Sequence, residues 1–118
     1  MEAMLRPICL AAALLLAGCG GSADEPGHTK MTLKDPLWER VNVQIVMTKR
    51  ADCDARGDGF LSTRTFVMQR DTEQWIDVPD GYSLCWRHDR DPKHPVAGDW
   101  SGWTRATLNP GYPTTTDL

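Results

Sequence analysis

Val41, Val43, Ile45 and Met47 alternate with Asn42, Gln44 and Thr48, a period of two that fits a strand with one buried face and does not fit a helix. The same period recurs down the chain. Phe60 to Arg70 places Ser62, Arg64, Phe66 and Met68 on one face and Leu61, Thr63, Thr65 and Val67 on the other. After a turn at Asp71-Thr72, Gln74 to Val78 sets Ile76 and Val78 on one side, and Pro79-Asp80-Gly81 follows as a turn: proline presets φ, and glycine permits φ > 0. Tyr82 to His88 puts Tyr82, Leu84 and Trp86 on one face with Cys85 on the other, and Trp100 to Leu108 alternates again. About five strands joined by short connections predict an all-β fold, a small antiparallel β-sandwich or barrel. About 70 ordered residues is close to the lower limit for a self-sufficient core, so a covalent staple carries weight here.

The N-terminal end reads differently. Leu5 to Ala17 is an apolar run broken only by Arg6 and Pro7, shorter than the roughly 20 residues a spanning helix needs and of the length of an export signal. Its charged flank is thin, with Arg6 offset by Glu2, and a start at Met4 gives a more ordinary one. The run ends in Leu16-Ala17-Gly18-Cys19 followed by Gly20-Gly21-Ser22, and in these residues the chain resembles bacterial lipoproteins. The resemblance covers about the first fifth of the chain. It implies a signal peptide over residues 1–18, cleavage before Cys19, a diacylglyceryl thioether on Cys19 and an acyl chain on its new amine. Such an anchor exceeds the two signals that stable membrane attachment requires. Gly20 stands where an Asp would resemble an inner-membrane retention signal, so an outer-membrane, periplasm-facing location is favoured.

Of four cysteines, Cys9 then leaves with the signal and Cys19 is lipidated, so Cys53 and Cys85 remain. An exported pair reads as a disulfide, worth about 3 to 4 kcal/mol in the chain-entropy account. A metal or redox pair is the competing reading, but no Cys-x-x-Cys spacing exists. Residues 19–37 are expected to be the lipidated cysteine and a flexible tether, 38–109 the β-domain, and 110–118 a loosely ordered tail rich in Thr, Pro and Gly.

Within the domain, several segments invite a chemical reading. Asp52 to Gly59 suggests a calcium loop, yet counting from Asp54 puts Arg56 at the third position and Thr65 at the twelfth, so the EF-hand pattern fails. Arg87 to Pro95 holds seven charged or histidine residues in nine positions, which predicts a solvated loop; His88 and His94 lack helical metal-site spacing. Ser101 is not in a Gly-x-Ser-x-Gly elbow. No metal, cofactor or catalytic residue is therefore assigned. The tryptophans are the compositional excess: Trp38, Trp75, Trp86, Trp100 and Trp103. Trp86 is expected in the core or against the disulfide, while Trp75 and Trp103 lie on otherwise polar strand faces and, with Trp100, are the candidate ligand or partner surface.

With 13 Lys and Arg against 16 Asp and Glu, the net charge of -3 argues against a nucleic-acid partner. The resulting expectation is a lipid-anchored, non-catalytic binding or scaffolding domain of the cell envelope whose partner is an envelope protein or glycan. The alternatives are a glycan- or peptidoglycan-binding module specifically, or an inhibitor or exclusion protein; a small hydrolase ranks last.

Overall fold

The structure, a computed structural model, describes residues 27–118, which form seven strands: β1 (His28–Asp35), β2 (Arg40–Thr48), β3 (Phe60–Gln69), β4 (Thr72–Pro79), β5 (Ser83–His88), β6 (Thr104–Thr107) and β7 (Thr114–Asp117). The proposed signal peptide, Cys19 and the first part of the tether lie outside the described residues. Two sheets form, one in the order β4-β1-β7 and one in the order β3-β2-β5-β6. Neighbouring strands pair antiparallel except β1 and β7, which pair parallel. The fold is all-β, as the alternation predicts, and the two sheets face each other as a small sandwich.

The alternation fixes which side chains enter the space between the sheets. Val41, Val43 and Ile45 from β2 and Leu84 and Trp86 from β5 meet Met31 and Leu33 from β1 and Ile76 and Val78 from β4, with Met68 of β3 closing one side. All ten are buried. Full burial of a side chain of this size contributes about 1.5 to 3 kcal/mol relative to exposure, so this layer holds the sheets together. Trp86 belongs to it and faces away from the disulfide.

Two expectations need correction. The segment expected as tether contains β1, the central strand of the three-stranded sheet, and the segment expected as tail contains β7. In β1 the buried positions are Thr29, Met31, Thr32, Leu33 and Asp35; only two of these are apolar, so the hydrophobic count of the segment is low although its period is that of a strand. The buried polar members of β1 are held by hydrogen bonds. Thr29 Oγ1 donates to Asp80 at 3.3 Å and accepts from the Gly111 amide at 3.0 Å, and Asp35 Oδ1 accepts from the amides of Leu37 and Trp38 at 3.0 and 2.9 Å. The strand expected over Trp100 to Leu108 is also shorter: an isolated bridge joins Trp100 to Asp89, and the ladder starts at Thr104.

The connections follow local chemistry. Between β3 and β4 a two-residue turn, Arg70-Asp71, places Asp71 at φ 63, a left-handed position that Asp tolerates better than most residues; Thr72 Oγ1 donates to the Gln69 carbonyl across it at 2.6 Å. Gly81 at φ 86 completes the turn into β5.

Candidate binding surface

The outer face of the four-stranded sheet does not behave as an ordinary solvent face. Val46 points away from the main core and is still fully buried, because the segment between β2 and β3 folds back over it. A disulfide joins Cys53 of that segment to Cys85 of β5, with Cα atoms 6.1 Å apart. Around it Val46, Cys53 and Cys85 form a second small core, packed by Phe60 and Trp103. The segment is also fixed by its backbone: Lys49 N donates to the Gly59 carbonyl at 2.8 Å, and Arg105 Nη2 to the Arg50 carbonyl at 3.2 Å. Gly59 sits at φ +91 with Arg50 Cγ 3.2 Å from where a Cβ would be, so the closure requires glycine.

Beside this covalent anchor lies a cluster of two indoles, one guanidinium and one carboxylate. Arg87 is two residues after Cys85 on β5 and therefore projects from the same face of the sheet. Its guanidinium carbon is 4.1 Å from the Trp103 ring centre and 5.3 Å from that of Trp100. Arg87 Nε donates to Gln44 Oε1 at 2.8 Å, and its Nη1 is 3.8 Å from Asp54 Oδ1. Asp54 Oδ1 in turn accepts from Trp103 Nε1 at 3.0 Å. Asp54 directly follows Cys53, so the disulfide sets the position of the carboxylate that orients Trp103. The Arg87 side chain is 21% exposed, enough removed from water for its cation–π contacts to be worth about 1 kcal/mol each.

Next to Trp100 the sheet face continues as a shallow groove of about 410 Å³ formed by Asn42, Thr65, Asp89 and Trp100 with Val96 on its rim. Its polar floor is rigid: the buried Asp89 accepts with Oδ2 from both the backbone and side-chain nitrogens of Asn42, at 2.8 and 3.0 Å. The loop above it is closed by Arg90, bidentate with Asp99 at 2.9 and 3.0 Å; the Asp99 hydrogen bond, then its charge, raises the Arg90 pKa further.

Of the three tryptophans expected to share a surface, Trp100 and Trp103 do and Trp75 does not. Trp75 stands on the three-stranded sheet, 60% exposed, with Lys30 Nζ 4.5 Å from its ring centre. Trp100 and Trp103 are half-buried. Arg87 was not among the expected site residues because the charge density of Arg87 to Pro95 reads as a solvated loop; its two-residue spacing from Cys85 is the signal that places it on the disulfide face.

The other chemical readings resolve locally. Asp52 Oδ1 accepts the Asp54 amide at 2.9 Å and Asp54 is engaged by Trp103, so the acids of that segment brace its turn. His88 packs against Trp38 with ring centres 4.7 Å apart, and its Nδ1 lies 2.7 Å from the Asp89 carbonyl oxygen; His94 Nδ1 is 3.3 Å from Asp91. Ser101 Oγ accepts from the His88 amide at 3.1 Å and donates to the Gly102 carbonyl. Among the described residues, no three His, Cys, Asp or Glu side chains come together as a metal site. In comparison with known proteins, the chain matches no family model, no curated protein and no solved structure.

Proposed function

We propose that this chain is a lipid-anchored, non-catalytic binding domain of the bacterial cell envelope, and that it binds envelope glycan on the outer face of its four-stranded sheet. The observation that carries the reading is Arg87 held between Trp100 and Trp103, with Asp54 fixing the Trp103 indole. Half-exposed indoles offer apolar faces to the C–H side of a sugar ring, while guanidinium, amide and carboxylate groups recognise hydroxyls. Arg87, Gln44, Asp54 and Asn42 supply those polar groups within the same patch. The disulfide and the ladder-borne Arg87 hold them before any ligand arrives, which lowers the ordering cost of binding. Display from the membrane follows from the lipobox residues ending in Cys19, and a periplasm-facing, outer-membrane location from Gly20 after it.

Co-sedimentation of the full chain, in neutral detergent, with purified peptidoglycan sacculi tests the reading. Wild type is expected in the pellet. Trp103→Ala and Arg87→Gln are expected to weaken binding by about 5- to 150-fold, the range for losing an anchor worth about 1 to 3 kcal/mol, and Trp75→Ala to leave it unchanged. Melting curves of the same variants separate lost binding from lost folding.

A further inference from the structure

We infer a second ligand site, for a phosphate monoester carried on a ring or apolar body, in the cleft of about 380 Å³ where the β1–β2 connection meets the β3–β4 turn and the loop after β5. Its floor is Leu37, 62% exposed, and the half-buried Trp38. Three cations surround that floor, each from a different part of the chain: Arg40 at the start of β2, Arg70 in the β3–β4 turn and Lys93 in the loop after β5. No described carboxylate forms an ion pair with any of them. Among the described residues Glu39 is the single acid lining the cleft, so their local balance is three positive charges against one negative. A dianionic phosphate monoester matches the remaining two charges, and guanidinium groups suit its oxygens.

The floor is built to stay in place. Asp35 Oδ1 fixes the amides of Leu37 and Trp38, Arg70 Nε donates to the Leu37 carbonyl at 3.2 Å, and Trp38 rests on His88. That single bond leaves the Arg70 terminal nitrogens for a ligand. An exposed leucine beside an indole, ringed by cations, fits an apolar or ring body whose phosphate reaches outward to the bases. β1 carries the chain from His28 at one end of the sandwich to Asp35 at this end, about 23 Å along the strand. A chain anchored through Cys19 thus presents the cleft away from its own leaflet, and the source is a soluble ester; this clause alone rests on the anchored reading above.

Titration of the full chain in neutral detergent with phenyl phosphate, followed by calorimetry at low ionic strength, tests the site. Saturable binding is expected, weakened at least 5-fold by Arg40→Gln and again by Lys93→Gln, weakened by added salt, and unchanged by Trp103→Ala, which tests the other face. Inorganic phosphate is expected to bind at least 10-fold more weakly than phenyl phosphate. Absence of saturable binding, wild-type affinity in both charge variants, or equal affinity for inorganic phosphate overturns the assignment. Binding to phosphatidic acid vesicles without binding to phenyl phosphate overturns the soluble source.

Discussion

Replacing Cys53 and Cys85 together by alanine removes the one covalent link between the β2–β3 segment and β5. The two cysteines are 32 residues apart, and closing a loop of that length removes denatured-state entropy worth about 4 kcal/mol at room temperature. The loss is large against the roughly 5 to 15 kcal/mol that holds a typical domain folded. In a domain of this size each kcal/mol moves the midpoint by about 4 to 8 °C, so a drop of about 15 to 30 °C is expected. The damage has a defined centre, because Cys85 is fully buried and Val46, Phe60 and Trp103 pack around the bridge. Asp54 is released with Cys53, and Trp103 loses the partner of its indole N–H. Far-UV melts of the unreduced protein, the reduced protein and the double variant measure the effect, and tryptophan emission follows the local change. A fall of less than about 5 °C with unchanged emission would refute the reasoning, since it would mean that the segment stays on the sheet without its link.

Three further outcomes follow from single residues. Cys19→Ser is expected to abolish palmitate labelling and move the protein out of the membrane fraction; a labelled, membrane-bound Cys19→Ser protein contradicts the anchored reading. Asp71→Gly, at φ 63, is expected to be neutral or to raise stability by up to about 1 kcal/mol, whereas Asp71→Val lowers it by more than that, as read from denaturant midpoints. Asp35→Ala removes the acceptor of two backbone amides at the entry to β2 and is expected to cost about 2 kcal/mol, while Asp35→Asn keeps an accepting oxygen and costs clearly less; equal losses in the two variants would show that the carboxylate charge, not the acceptor, matters.

Where a strand buries one apolar face and exposes a polar one, the amino-acid order reveals it. β2, β4 and β5 are legible for that reason, and β3 through its β-branched and aromatic content. β1 differs from the expected tether because its alternation is carried partly by Thr29 and Asp35, which are buried by virtue of partners at Asp80, Gly111, Leu37 and Trp38. Those partners are supplied by the folded structure and cannot be counted in a hydrophobicity pattern. β7 has no apolar period at all: a run of threonines pairs parallel with β1, and Leu118 N donates to the Lys34 carbonyl at 2.8 Å. The disulfide was legible because the proposed compartment left two cysteines. The candidate surface was half legible. Trp100 and Trp103 stand out by residue type, but their meeting with Arg87 depends on the pairing of β5 with β6 and on the bridge from Asp89 to Trp100. The pairing of β4 with β1 leaves Trp75 on the other sheet.

The most direct measurement of the central claim is sacculus binding by three single variants whose melting curves are recorded in parallel: Trp100→Ala and Arg87→Gln on the proposed face, and Trp75→Ala on the opposite sheet. The account predicts that the first two lose binding by at least 5-fold while their midpoints stay high enough for the protein to be folded at the assay temperature, and that Trp75→Ala binds as wild type. Undiminished binding by folded Trp100→Ala and Arg87→Gln proteins, or no binding by the wild type, would contradict it.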